Sequence, residues 1–579
     1  MKISQKLLLL FCFFAGIFHN SISQSVTSFS EIDSLKPTYS ISGKLSTIDL
    51  SSGYSLSTLG FASNTPFLLD PQLLLYSGIP FKSLETSQIM RYTSLPHLGF
   101  SYSFGSSGFQ VAKFQYTQAF PKNWIVNLDY KNQQNNGVIR NSAVRNQLVS
   151  LKLAKRTKGI ESFLTADYSI QSLAWNGGII DDSLALNYSP DLIPVNKDDA
   201  ISARKEVLLS WSNYINFLAD SSQKTGLYFT TNFDSKNRRF RETGDLAFQY
   251  TSIYVDSFET NDQLQISIQT NELGVFTARK KWNLTLGALE NFWNYRNGLL
   301  YRDTLELDMT ESFNFKSNTF YLNQNFTFNF FGRGQAWKNE ISTQKKWLVS
   351  NIKVNWKVEN SLPELFQRHY FSNNLKYQLS AYELQFKSKF DVAYNIVLKK
   401  NVFNFKVGHI YLKNPYFFNG TTWSNTEIQT LNSLNAIVRS DVKLKSITFS
   451  PSYSFYSMPP SWNFYPTHVL KLRMFAERGL LKKRKLTSYF GIEPQLISGF
   501  NPLVIYPSLD IFILNLNQTS QKAFIDLALF AGFELKGFKF FARAENLGYF
   551  WNNRMLQLAK GYPIPPMQIQ LGITWDFWN

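Results

Sequence analysis

The chain carries a single cysteine, Cys12, among 579 residues. It sits within the first apolar stretch, behind bulky Phe11, where a lipoprotein cysteine would need a small neighbour. Removal of that stretch leaves no thiol, which excludes disulfides, thiol nucleophiles and cysteine metal sites. Histidine is scarce as well. Beyond the leader only His97, His369, His409 and His468 remain, with no two at metal-ligand spacing. HExxH, P-loop and GxSxG patterns are all missing. Catalytic, cofactor and metal positions are therefore assigned to no residue, and the expectation is a non-enzyme without cofactor. Past the leader no run reaches 18 uninterrupted apolar residues, which excludes helical membrane spans.

What is present begins with a leader. Residues 1–23 read as a secretory signal: Lys2 and Lys6 form the basic start, residues 7–18 are apolar, and Ser21 and Ser23 precede a cleavage before Gln24. The formal charge is +18, of which two units leave with Lys2 and Lys6. Basic residues look scattered along the sequence, without the concentrated tract expected of a nucleic-acid binder. Aromatics reach 16%, yet mean hydropathy is only −0.20. Such a balance suits a membrane barrel, whose lipid-facing and lumen-facing residues alternate and so escape hydropathy scans.

The alternation is clearest at the C-terminal end. Across residues 567–577, Met567, Ile569, Leu571, Ile573, Trp575 and Phe577 alternate with Gln568, Gln570, Gly572, Thr574 and Asp576. Side chains on a strand point to alternate faces, so one face is apolar and the other polar. Two strands before it behave alike. Ile525, Leu527, Leu529 and Phe533 oppose Asp526 and Glu534; after Lys536 and Gly537, Phe538 and Phe540 oppose Lys539, Arg543 and Glu545. A two-residue hairpin pairs Leu535 with Phe538, both apolar, so the register is self-consistent. Phe533, Phe538, Phe540, Trp575 and Phe577 are expected to form an aromatic girdle on the outer face.

The same rhythm recurs from His97 onward, as at residues 124–131, 164–171, 352–359, 403–409 and 470–474. The polar faces place Lys353, Lys357, Lys406, Lys471, Arg473, Lys539 and Arg543 as expected pore-lining cations, against Asp129, Asp167, Glu359, Asp526, Glu534, Glu545 and Asp576. The fold class is all-β: a transmembrane antiparallel β-barrel of about twenty strands, roughly 16–24 and even in number, with short periplasmic turns and longer extracellular loops. Residues 97–579 make the barrel. Residues 24–96 are a lead-in, a small hatch in the lumen, or one or two first strands. A phase break near Lys113 reads as a bulge. Residues 361–364 (Ser-Leu-Pro-Glu) read as a helix start with a capping box. The loop 172–205, with Asp181, Asp182, Asp191, Asp198 and Asp199, lies outside or folds into the pore.

Three stretches together resemble a family of Gram-negative outer-membrane barrels described as "putative porin". They are residues 55–66 (SLSTLGFASNTP), residues 123–146 with their Asn-Gly turn and basic, Asn-rich descent, and the C-terminal Arg543-Ala544-Glu545-Asn546-Leu547 followed by Gly561-Tyr562-Pro563 and the last strand. The chain departs from the usual barrel ending, because Asn579 follows Phe577 and Trp578. The resemblance implies an outer-membrane channel for passive or substrate-selective uptake of small polar solutes. Lumen charge adds a weak anion preference, since a Lys or Arg facing lipid at midplane costs roughly 2–4 kcal/mol. The alternatives are a transporter, energy-coupled or for hydrophobic substrates, plugged by residues 24–96, and a structural barrel. Expected partners are outer-membrane lipid, the barrel-assembly machinery through the C-terminal strand, and an outer-membrane lipoprotein at the long loops. No nucleic acid is expected.

Overall fold

A computed structural model of the chain describes residues 33–34 and 90–578, apart from 158, 220–222, 380, 426–428, 460–463, 481–485, 514–520 and 553. The leader and most of the 24–96 segment lie outside the described residues. From His97 onward the chain forms one closed antiparallel barrel of 22 strands, two more than the twenty read from the sequence. Each strand pairs with its neighbours in sequence, and the first, His97–Gly105, closes on the last, Gln568–Trp578. Closure leaves no unpaired edge, the condition a sheet must meet in hydrocarbon. The α-helices described, Leu184–Asn187 and Leu365–Arg368, have four residues each.

The walls are inside-out relative to a soluble sheet. Ile525, Ile569, Trp575 and Phe577 are exposed on the outer surface, while Gln568 and Gln570 are buried on the inner one. Leu209, Leu273, Val407 and Phe490 continue the exposed apolar band round the barrel. Apolar surface of that extent calls for lipid. Leu535 pairs with Phe538 as the hairpin predicts. Its turn residues, Lys536 at φ 46° and Gly537 at φ 85°, both take positive φ, the type I′ geometry that follows strand twist.

The two ends of the barrel differ in their connections. At one end, called here the turn end, strands are joined by two to six residues, as at 121–123, 280–281, 399–400, 445–446 and 536–537. The first strand starts and the last finishes at this end. At the opposite loop end run the long segments 175–200, 244–258, 362–384, 414–429, 498–523 and 546–567.

Two local expectations are corrected. The strand Gln110–Phe120 pairs without interruption on both sides, so there is no bulge at Lys113. The phase breaks there because Phe109 and Val111 face inward as a small buried core. Register shifts occur instead at Asn216/Leu218 and Leu307/Asp308. The capping box also lies three residues later than expected. Ser361 ends the strand Ser350–Ser361, leaving Glu364 as the N-cap, with Gln367 closing the box.

Candidate functional site

The segments of the loop end pack against one another, and one of them joins several of the others. Segment 498–523 contains a small hairpin, Val504–Tyr506 paired with Ile511–Ile513. Its tip is Pro507-Ser508-Leu509-Asp510, with Asp510 at φ 55°. The segment feeds three of the cores at this end. Phe500 and Leu503 enter one, Ile505 a second, and Leu509 and Ile511 a third. The tip itself crosses the lumen to the strands Ile201–Ala219 and Gln223–Thr243. Seven barrel strands separate these from the hairpin's own pair of strands one way round the wall, and eleven the other.

Asp510 is what holds the tip there. Arg238 Nε donates to its Oδ2 at 2.7 Å and Arg204 Nη2 lies 2.9 Å away. The Ser202 hydroxyl donates to Oδ2 and Trp175 Nε1 to Oδ1, each at 2.5 Å. Arg238 also donates to the Pro507 carbonyl at 3.2 Å. Asp510 is fully buried, and Arg238 is nearly so. Burial alone would raise the Asp510 carboxyl, but Arg238 and Arg204 hold it down at about 2. One carboxylate thus answers two guanidiniums, and loss of any member leaves charge uncompensated.

Neighbouring loops are tied to one another beside this latch. Lys197 Nζ meets Glu242 at 2.5 Å and the Tyr250 hydroxyl at 2.9 Å, joining 175–200 to 244–258. The Asn373 side chain accepts from the Val255 and Asp256 amides and donates to the Asp256 carbonyl. Its backbone N–H donates to Asp262 at 2.8 Å. Segment 362–384 is thereby fastened to segment 244–258 and to the strand Glu259–Arg279.

At the turn end the chain ahead of the first strand enters the lumen. Arg91 pairs with Asp129 at 2.6 Å. Asn127, on the same wall, accepts from the Arg91 amide and donates to its carbonyl, as a strand neighbour would. Met90 packs into an inward-facing cluster with Ile125, Ala154, Phe163, Tyr214, Tyr228 and Phe276. Arg91–Tyr92 also pairs in parallel with Asp33–Ser34.

Most of the expected lumen cations stand beside carboxylates. Lys357 lies 3.0 Å from Glu359, Lys406 3.1 Å from Asp391, Arg473 3.0 Å from Glu493, and Arg543 2.6 Å from Glu493. Lys539 reaches Glu534 at 4.0 Å, Lys471 is half-buried, and Lys353 is exposed. The five girdle aromatics form one run of ring contacts, from Phe540 to Phe533 (5.3 Å), Phe538 (6.2 Å), Trp575 (5.6 Å) and Phe577 (4.4 Å). His97 lies 3.4 Å from Asp576, and His468 2.8 Å from the Tyr453 hydroxyl. Among the described residues no cluster of His, Cys, Asp or Glu has metal-binding geometry.

Sequence reasoning missed Asp510, Arg204 and Arg238. The stretch VIY-PSLD-IFI carries a legible hairpin signal, a Pro-started turn between two β-rich triplets. Nothing local announces the wall it reaches.

No protein of curated function matches the chain. In fold it resembles the ferric-catecholate import receptor Fiu of E. coli K12 in its closed form, at TM-score 0.56 and 12% identity, covering 86% of this chain and 84% of that one. The FrpB iron transporter of Neisseria meningitidis aligns at TM-score 0.59 and 8% identity over 84% and 82%. A mutant ferric enterobactin receptor, PfeA, of Pseudomonas aeruginosa gives 0.57 and 10% over 84% and 81%. At such identities the likeness extends to the barrel and no further. The sequence pattern of the family described as "Putative porin" matches residues 64–579, and the chain belongs to that family.

Proposed function

We propose that the protein is an outer-membrane conduit for small polar solutes, selective rather than general, with its short turns in the periplasm and its long loops outside. Family membership and the lipid-ready outer wall support the location. One observation carries the selectivity: the 498–523 hairpin lies across the lumen, pinned by Asp510 to Arg204 and Arg238. A solute entering from the loop end must pass beside that tip or displace it. Lumen charges are largely paired, while exposed lysines ring the turn-end mouth, so the pore has a weak preference for anions. No catalytic step and no cofactor enter this reading. The strand Gln568–Trp578 is what the assembly machinery would engage, and the long loops are the surface for an outer-membrane lipoprotein.

Planar-bilayer conductance tests the reading. The wild-type protein is expected to give small steps and Asp510→Ala steps several-fold larger. Reversal potentials at low ionic strength, where screening is least, report the sign of selectivity. Silence from both proteins, with folding intact, would sink the open-conduit reading. A receptor-type importer is the second reading, favoured by the 90–92 segment stitched into the lumen through Arg91. In that case liposomes swell in sugar only after deletion of residues 24–96. Failure to swell even then leaves a structural barrel.

A further inference from the structure

Seven lysines that look scattered in the sequence converge on the turn end. Lys122, Lys280, Lys281, Lys399, Lys400, Lys445 and Lys536 all sit in its short connections, exposed, and among the described residues none has an ion pair. Three rim cations lie over tryptophans: Lys155 over Trp124 at 4.7 Å, Arg279 over Trp282 at 5.5 Å and Lys345 over Trp347 at 5.6 Å. Cation and indole together mark the level where hydrocarbon gives way to headgroups.

At the first of these pairs the outer wall is hollowed. An open groove of about 580 Å³ is lined by Trp124, Leu153, Lys155, Leu164, Leu209 and Trp211, among others. Strand register orders these by depth. Trp124, Lys155 and Ser162 are cross-strand neighbours in the row at the rim. Leu153, Leu164 and Trp211 form the row one pleat further from the turns. Leu209 lies a pleat beyond Trp211 on the same strand, and Leu164 and Leu209 are exposed on the outer wall. The groove is thus cationic at the headgroup level and apolar toward the midplane.

We infer that this groove binds an anionic glycerophospholipid, its phosphate at Lys155 and an acyl chain along Leu153, Leu164 and Leu209. Among the described residues no carboxylate neutralises Lys155, and the surrounding collar of lysines adds the field that separates an anionic lipid from a zwitterionic one. An acidic protein would satisfy the collar but not the apolar rows, which lie in the bilayer. The inference rests on the reading of the chain as a membrane barrel.

The test uses purified mature protein in nanodiscs of equal phosphatidylglycerol and phosphatidylcholine, with retained lipid identified by native mass spectrometry. Phosphatidylglycerol is expected to be retained in preference. Lys155→Gln should weaken that retention about fivefold, the effect of one lysine at an anionic surface. Lys560→Gln, exposed at the loop end, should leave it unchanged. Leu164→Trp fills the groove without altering charge and should also lower retention. Folding of each variant is checked by its heat-dependent migration on gels. Equal retention of the two lipids, or no loss with both Lys155→Gln and Leu164→Trp, overturns the groove while the barrel reading stands. Failure of the protein to insert into any bilayer overturns the barrel reading, and the groove with it.

Discussion

The turn end and the loop end are built from the same strands and are opposites in chemistry. In the short connections of the turn end every charged residue is basic, and Lys280, Lys281, Lys399 and Lys400 are exposed and, among the described residues, make no ion pair. At the loop end the charges that hold the segments together are buried and matched. Asp510 faces Arg204 and Arg238, and Glu242 faces Lys197. Water and headgroups solvate the first set at little cost. The second set is removed from water and is tolerable only because each charge has a partner. Substitutions should therefore act through solvation by lipid and water at one end, and through loop docking at the other.

The largest effect is expected at the latch. Asp510→Ala strands two guanidiniums in a buried site, and removal of one partner from such a set costs about 3–5 kcal/mol. The loss falls on docking of the 498–523 hairpin, because the barrel walls keep their full ladders. Protease added to intact cells should cut within 498–523 in the variant and spare the wild type, alongside the rise in conductance. Asp510→Asn should recover part of the docking, since an amide still accepts from Arg238. An uncut Asp510→Ala loop would mean that its apolar residues, such as Leu509 and Phe500, suffice to hold it.

That asymmetry also explains what was legible in the sequence. The walls could be read because period two is local: Trp575 and Phe577 outward, Gln568 and Gln570 inward, and the Leu535–Phe538 register all follow from adjacent residues. Strand number was near but low, since segments with inward apolar residues such as Phe109 and Val111 blur the alternation. The latch could not be read. Asp510 lies 272 residues from Arg238 in sequence, and the pairing exists only once the barrel closes. The basic collar stayed hidden for a related reason. Residues 280 and 400 are distant along the chain, and only topology brings them to one rim.

Smaller effects probe each end separately. In the Lys536-Gly537 turn, Gly537 holds φ 85°, where a Cβ is strained. Gly537→Ala should cost about 1–2 kcal/mol, a non-glycine residue being forced into the left-handed region. A lowered temperature of the heat-dependent gel shift measures it. Substitution without a shift would mean that the turn is free to change type.

Acid should loosen the loop end by about 1 kcal/mol at pH 5.5 through His369. Burial, with Arg302 and Arg368 nearby, lowers its pKa from 6.5 to about 4, and among the described residues its Nε2 finds no hydrogen-bond partner. The folded loop therefore favours the neutral ring. Its contribution is complete above pH 6.5 and falls as pH drops from there toward 4. Asp510, held at about 2, stays ionised throughout that window. Proteolysis within 362–384 should rise between pH 7.5 and 5.5, and His369→Gln should remove the dependence.

The smallest effect is expected where the charge is densest. Lys280, Lys281, Lys399 and Lys400 are exposed and, among the described residues, make no ion pair, so their replacement by Gln removes no folded-state contact. Surface changes of this kind stay within about 0.5 kcal/mol each. Relief of repulsion among like charges acts in the opposite direction to any lost solvation, which keeps the sum small. Urea unfolding of the quadruple variant in neutral detergent should therefore match the wild type. In anionic bilayers the same variant should fall behind, because the collar then has headgroups to meet. A loss of more than about 2 kcal/mol in neutral detergent would exceed what four exposed charges can supply. It would make the turn end a structural element like the latch, and the contrast between the two ends would fail.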